Sequence, residues 1–268
     1  MSSRSSDEIG LARGRSAHMT LIYGINPVVE ALRSRRVSRI IHERGAGPRV
    51  DEIVRRAQEL RIAIETIDRR ALDKLTRGGL HQGVAAELQS LPAYTLEEIV
   101  TEADGAPLIV VLDGIEDPQN VGAILRSADA AGGTGVVRQA RHAAPLDGAA
   151  ARASAGAVHH VRIATVVNIS RALEELKALN VWTIGLDGNA PDRYDEVDYC
   201  QPTAFVLGAE GSGLRRLVRE SCDRLVSIPM AGELASLNVS VSAGVALFEA
   251  VRQRRRARTH RSDDAAPR

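Results

Sequence analysis

The sequence predicts an α/β protein of two domains, the second built on a mostly parallel sheet. Three observations carry that prediction. The 268 residues suit about two domains of 100–150 residues. Short apolar runs alternate with segments of helical period throughout the chain. The run Leu108, Ile109, Val110, Val111, Leu112 is apolar on both faces, as a parallel strand covered by helices on both sides must be.

Taken in order, residues 1–18 lack hydrophobic periodicity and read as a disordered arm. Order begins near Met19. Strands are expected at 20–23, 38–42, 62–67 and 83–88, with helices at 27–33, 50–60 and 70–75, making one small α/β domain over 19–90. Residues 91–105 form a linker, opened by Leu91 and Pro92, in which Thr95 caps a short helix. The second domain spans 106–254. Its first strand, 108–112, leads through Asp113 and a turn to Pro118, suited to a first helical position, and the helix runs to Ala131 before Gly132 and Gly133 stop it. The unit then repeats. Strands are expected at 135–137, 181–185, 204–207 and 225–229, and helices at 146–154, 170–179, 214–221 and 237–254. Residues 255–268 are left as a basic disordered tail.

Composition narrows the classes of function. No apolar run approaches the roughly 18 residues of a membrane helix, and the first 18 residues carry Arg, Ser and Asp where a secretory leader would be apolar. A cytoplasmic protein is expected. Cys200 and Cys222 are too few for a disulfide scaffold and have no metal spacing, so both read as packing residues. The net charge of +1 conceals an uneven distribution: 19–90 is +4, 91–251 is −9 and 252–268 is +5. A basic front and tail flanking an acidic body fit contact with a polyanion at the ends and chemistry in the middle. The excess of Arg over Lys, 33 to 2, equally fits a coding bias with solvated basic segments.

Ligands of layered parallel sheets bind at the carboxyl ends of strands, and three segments lie there. The first is 113–127, holding Asn120 and Arg126 six residues apart; as local structure it is a turn residue and a solvated helix position. The second is 206–214, where a strand feeds the turn Gly208, Ala209, Glu210, Gly211, Ser212, Gly213. Its glycines allow close backbone approach, suited to a nucleoside read by main-chain groups, while Glu210 alone reads as an ordinary turn acid. It lacks the Gly-Lys-Ser/Thr of a phosphate loop and the dinucleotide spacing. The third is 228–244, in which Ser236 and Asn238 read as helix N-caps, and Ser240, Ser242, Ala243 and Gly244 let another segment press close.

Together the three segments resemble the SpoU branch of the SPOUT methyltransferases. The pattern Asp-Pro-x-Asn-x-Gly-x-x-x-Arg-x-Ala over 117–128 is similar to the family's first motif, 207–213 to its second and 227–244 to its third, in the family's order. Ile22 to Ile25 and His81 to Val84 are similar to the amino-terminal RNA-recognition domain of the subgroup that modifies a guanosine in the P-site loop of 23S rRNA. The resemblance implies an L30e-like RNA-binding domain followed by a SPOUT domain with a deep trefoil knot, a homodimer, and ribose 2'-O-methylation of RNA from S-adenosyl-L-methionine. It implies a catalytic set of Asn120, Arg126, Glu210, Ser236 and Asn238. It places the cofactor on Gly188, Leu207, Gly208, Ile228, Met230 and Leu237, with no metal and no membrane. The target hydroxyl is a very weak acid. Either Arg126 is itself the base, which requires a strongly depressed pKa, or it holds phosphate and the developing oxyanion while the proton passes to phosphate, water or Glu210. One departure stands out: Asp147 occupies a position where the subgroup carries Asn. Two alternatives share the resemblance, namely the same chemistry on tRNA or another rRNA site, including one that confers antibiotic resistance, and a non-catalytic RNA-binding or ribosome-assembly protein.

Overall fold

A computed structural model describes residues 20–33, 37–88, 91–146 and 148–264. The expected arm at 1–18 and Asp147 lie outside the described residues. The chain divides into two units after Ser90.

The first unit alternates β1 (Thr20–Tyr23), α1 (Ile25–Arg33), β2 (Val37–Glu43), α2 (Pro48–Glu59), β3 (Ala63–Ile67), α3 (Arg69–Leu75) and β4 (Val84–Leu88). Its sheet has the order β1-β4-β2-β3. β4 runs antiparallel to both neighbours, while β2 and β3 are parallel. Alternate strand residues serve opposite faces. Ile40, Val84 and Ala86 pack with Val28 and Leu32 of α1 and Val50 and Ile53 of α2, and Ile41 and Ala85 pack with Leu72 of α3.

In the second unit Thr95 and Glu98 form a reciprocal capping box on α4 (Leu96–Thr101). Then follow β5 (Leu108–Asp113), α5 (Pro118–Ala130), β6 (Gly135–Gln139), α6 (Gly148–Ala153), β7 (Ile163–Val166), α7 (Ile169–Ala178), β8 (Trp182–Leu186), β9 (Asp192–Arg193), β10 (Thr203–Gly208), α8 (Arg216–Ser221), β11 (Arg224–Ser227) and α9 (Val239–Asp264). The order β7-β6-β5-β10-β8-β11-β9 is parallel at every pairing. Every residue of β5 is buried. Leu108, Val110 and Leu112 meet α5 and α9 on one face, and Ile109 and Val111 meet α4 and α7 on the other. On α9 the stripe Val239, Ala243, Ala246, Leu247, Ala250 is buried, and Gly244 comes close to the Ser127 hydroxyl of α5, which explains the small residues there. Burial pushes the Cys222 thiol up to about 12.

Several elements differ from the sequence reading. β7 and β9 were not expected; β7 is a four-residue edge strand paired only to β6, and β9 has two residues, too short for alternation to register. α9 begins at Val239 instead of 237. It also carries the expected tail as helix as far as Asp264, because Arg and Ala are good helix formers and neither Gly nor Pro interrupts them before Pro267. Arg254 anchors that extension by donating to the carbonyls of Tyr199, Ala106, Pro107 and Gln201 at 2.6–3.0 Å.

Candidate active site

The chain leaves β5 towards β6 and β7 on one side, then crosses to β8, β11 and β9 beyond β10. The strand order therefore reverses at the β5–β10 pair, where parallel sheets open a crevice at their carboxyl ends. Asp113 and Gly208 face each other across that pair in register. Asp113 is 1% exposed, and a buried carboxylate must be matched. It accepts from the Arg215 backbone N–H at 2.8 Å and from Arg215 Nε at 2.6 Å, and Nη2 completes the ion pair. Arg215 Nη2 also donates to Gln139 Oε1 at 2.8 Å. The far end of the 208–213 turn is thus fastened to the ends of β5 and β6.

The near end has no room to move. A Cβ built on Gly208 would stand 2.1 Å from the Gly213 carbonyl carbon and 2.3 Å from the Leu214 nitrogen, so the turn folds back on its own first residue. The Gly213 N–H donates to the Ala209 carbonyl at 2.8 Å. Glu210 is displayed at the tip, exposed.

α5 enters the same crevice. Asp117 caps it, accepting from the Gln119 and Asn120 N–H groups, and Asn120 is only 6% exposed. Asn238 caps α9, accepting from the Ser240 N–H at 2.8 Å. A directed chain joins the two caps to the turn: Asn238 Nδ2 donates to Asn120 Oδ1 at 2.9 Å, and Asn120 Nδ2 donates to Glu210 Oε2 at 3.2 Å. The cleft beside this chain has a volume of about 570 Å³ and is lined by Glu116, Asp117, Asn120, His142, Glu210 and Ser212, among others.

The sequence-expected residues divide into two groups. Asn120, Glu210 and Asn238 come together. Arg126 does not line the cleft: at 100° per residue, six residues along α5 place it about 120° around the helix from Asn120. It is exposed and bonds to none of the described residues. Ser236 is exposed and caps no helix among the described residues. Of the expected cofactor residues, Leu207 is buried in the core, so only its main chain can face a ligand. Gly188 lies with its Cβ position 3.8 Å from the Ala235 carbonyl, bringing the loop after β8 against the loop after β11. That first loop is itself pinned, since Asp187 pairs with Arg219 at 2.7 Å and its N–H donates to Val226. Asp113, Arg215 and Gln139 were not singled out from sequence. The signal for Asp113 is a lone carboxylate ending a wholly apolar strand.

These loops fit a nucleoside. Among the described residues, no backbone group from Ile228 to Leu237 bonds to another backbone group, which leaves a row of main-chain donors and acceptors for an adenine edge and ribose. Met230 is 38% exposed and Ile228 and Leu237 are half-buried, supplying apolar surface for a ring. No group of three His, Cys, Asp or Glu among the described residues could hold a metal ion. No helix of the described residues is long and apolar enough to cross a membrane.

Comparison with known proteins agrees with this geometry. The chain is 42% identical over 240 residues to the 23S rRNA (guanosine-2'-O-)-methyltransferase RlmB of Pseudomonas syringae pv. tomato, covering 87% of this chain and 95% of that one. It is 40% identical over 237 residues to the RlmB of Haemophilus influenzae, at 87% and 96% coverage. The crystal structure of the SpoU methyltransferase AviRb from Streptomyces viridochromogenes in complex with AdoMet superposes with a TM-score of 0.63 at 29% identity, over 89% of this chain and 91% of that one. Residues 21–94 match the family of RNA 2'-O ribose methyltransferase substrate-binding domains. Residues 107–248, the unit that holds the crevice, match the SpoU rRNA methylase family, and the chain belongs to that family.

Proposed function

We propose that this chain transfers a methyl group from S-adenosylmethionine to the ribose 2'-hydroxyl of a guanosine in the P-site loop of 23S rRNA, as a cytoplasmic homodimer whose second domain carries a deep trefoil knot. The observation that supports it most is the Asn238–Asn120–Glu210 chain at the sheet's reversal point, beside loops suited to a nucleoside, in a member of a methylase family. Bound S-adenosylmethionine supplies an electrophilic methyl on a sulfonium.

The chain's own residues position the acceptor and handle its proton. Asn120 and Asn238 hold Glu210 through neutral donors, leaving its second carboxylate oxygen to accept from the ribose hydroxyl. Arg126 presents a planar fork of N–H donors and no acceptor. Bonded to none of the described residues, it is available to grip a phosphate and offset charge developing on the attacking oxygen. Ser236, on the adjoining loop, orients the ribose. A second copy fits the exposed face of α9, where Val241 and Phe248, each 50% exposed, lie two turns apart on one side of the helix.

The test is primer extension at limiting nucleotide on 23S rRNA from a strain lacking the gene. One 2'-O-methyl stop disappears and returns with the intact gene; a full set of stops in the deletion strain overturns the reading. Arg126→Ala and Arg126→Lys both slow single-turnover methylation, by about 100-fold or more, with RNA affinity little changed, since an ammonium does not reproduce the planar fork. Near-normal turnover by Arg126→Lys removes the role assigned to the guanidinium.

A further inference from the structure

The cleft beside the Asn238–Asn120–Glu210 chain has a second wall that the chemistry described so far leaves unused. It is built from the turn between β5 and α5 and from the loop after β6. Gly114, at φ 74°, turns the chain so that Ile115 is buried and Glu116 stands out into solvent. The Ala144 N–H reaches the Ile115 carbonyl at 3.4 Å, and Ala144 is itself buried, so the loop after β6 is seated on that turn. Two residues earlier in the loop, His142 holds a left-handed φ of 52°, which residues other than glycine adopt at a cost. Its Nδ1 lies 3.4 Å from Glu116 Oε1, and both side chains line the cleft. Of the carboxylates lining that cleft, three are committed. Asp113 accepts from Arg215, Asp117 takes the Gln119 and Asn120 N–H groups with one oxygen each, and Glu210 takes Asn120 and keeps one oxygen for the ribose hydroxyl. Glu116 differs. Among the described residues it pairs with His142 alone, at Oε1, and it accepts no N–H of α5, whose first turn Asp117 already caps. Arg215, the arginine of the lining, serves Asp113, so this acidic wall repels phosphate and suits a row of N–H donors.

We propose that Glu116 reads the base of the acceptor nucleotide, its carboxylate accepting from the N1–H and N2–H of guanine while His142 holds it in place. The proposal rests on the function proposed above and assigns the residues that choose the base. The Watson–Crick edge of guanine carries two adjacent N–H donors, which the two oxygens of one carboxylate accept together. Adenine and cytosine place a ring-nitrogen lone pair on that edge, and uracil has a single N–H between two carbonyl oxygens, so each turns a lone pair on a carboxylate. The adenine of the cofactor is excluded from this wall for the same reason. Glu210 and Glu116 thus divide one nucleoside between them, the first at the ribose and the second at the base. At about 570 Å³ the cleft lies within the range of sites that enclose one small ligand. His142 is a positioning residue, acting through Glu116.

For the test, 23S rRNA is assembled by splinted ligation with guanosine, inosine or adenosine at the acceptor position mapped by primer extension. The full-length protein methylates each in single turnover, and S-adenosylmethionine affinity is measured by calorimetry. Inosine keeps N1–H and lacks the N2 amino group; it lowers the parent's rate about tenfold, as loss of one hydrogen bond to a charged group does. Adenosine lowers it about 100-fold or more. Glu116→Ala slows methylation of guanosine about tenfold or more and treats guanosine and inosine alike. Glu116→Gln, whose amide offers one acceptor and one donor, gains on adenosine relative to guanosine. His142→Ala narrows the preference for guanosine, and His142→Asn, which keeps a donor and tolerates the left-handed backbone, retains it. Cofactor affinity is unchanged in all of these variants. A general loss of structure lowers every rate by one factor and leaves the ratios in place, so the ratio of guanosine to inosine is the readout. A parent that treats inosine as guanosine, or a Glu116→Ala variant that keeps the parent's ratio, overturns the proposal and leaves the methyltransferase reading standing. Weakened S-adenosylmethionine affinity in Glu116→Ala assigns this wall to the cofactor, and the proposal falls. A parent that methylates no guanosine of 23S rRNA removes the reading of function and the proposal with it.

Discussion

The turn at 208–213 and the turn at 77–83 are both glycine-rich, and Gly208 of the first and Gly78 of the second are needed for different reasons. In the first, Gly208 is needed for space, because the main chain of Gly213 and Leu214 occupies the position of a Cβ. In the second, Gly78 has nothing within 4 Å of its Cβ position but sits at φ 74°, a left-handed conformation that other residues adopt at a cost. The anchors differ in parallel. The 208–213 turn is tied through Arg215 to the buried carboxylate of Asp113 and to Gln139, at the ends of two strands, whereas the 77–83 turn is tied by the His81 ring to Asp73 and Gly83 and by the Glu43 N–H to the Gly83 carbonyl. A turn folded onto its own backbone can shape a pocket and tolerates no side chain. A position set by dihedral preference, as Gly78 is, accepts a side chain at a conformational cost, while Gly79 and Gly83 beside it are closed by the Tyr23 ring and Ala46.

Substitutions rank accordingly. The largest effect is expected of Gly208→Val, whose side chain would have to enter the main chain of the same turn; S-adenosylmethionine binding is lost in calorimetry, and a folded variant with unchanged affinity removes the pocket assignment. Next, Asp113→Ala withdraws the buried acceptor from Arg215. Fully buried pairs lose 3–5 kcal/mol when broken, but the Arg215 side chain is half exposed and can rehydrate, so about 2–3 kcal/mol is expected from denaturant unfolding of the second unit. His81→Ala orphans the Gly83 N–H and lowers the stability of the first unit by about 1–2 kcal/mol, with cofactor affinity unchanged. Smallest is Gly78→Ala, at about 1 kcal/mol for the left-handed conformation alone. Equal effects of Gly208→Ala and Gly78→Ala on stability would erase the distinction between the two turns.

Much of the fold was legible in sequence because each unit repeats a local pattern. β5 reads as a central strand from its unbroken apolar run, α5 from Pro118 and the glycine stop, and α4 from Thr95 and Glu98, all of which act within a few residues. β7 and β9 escaped because short edge strands are defined by a partner and not by their own pattern. The helical run of α9 past Arg254 escaped because a basic, polar segment reads alike as tail or as helix until Arg254 is seen bonded to four distant carbonyls.

The candidate site divides along the same line. The sequence by itself determined which residues are candidates for the chemistry and in what order they come, since Asn120, Arg126, Glu210 and Asn238 lie in motifs whose spacing resembles that of one family. Only the tertiary structure decided which of them meet. Asn120, Glu210 and Asn238 are separated by up to 118 residues and are joined because β5 and β10 are neighbours in the sheet and both α5 and α9 start at its carboxyl end. The same arrangement turns Arg126 away from Asn120 and brings in Asp113 and Arg215, 102 residues apart. A hydrogen bond reports a distance of about 3 Å, and distances between remote residues follow from strand order and burial, which no local pattern encodes.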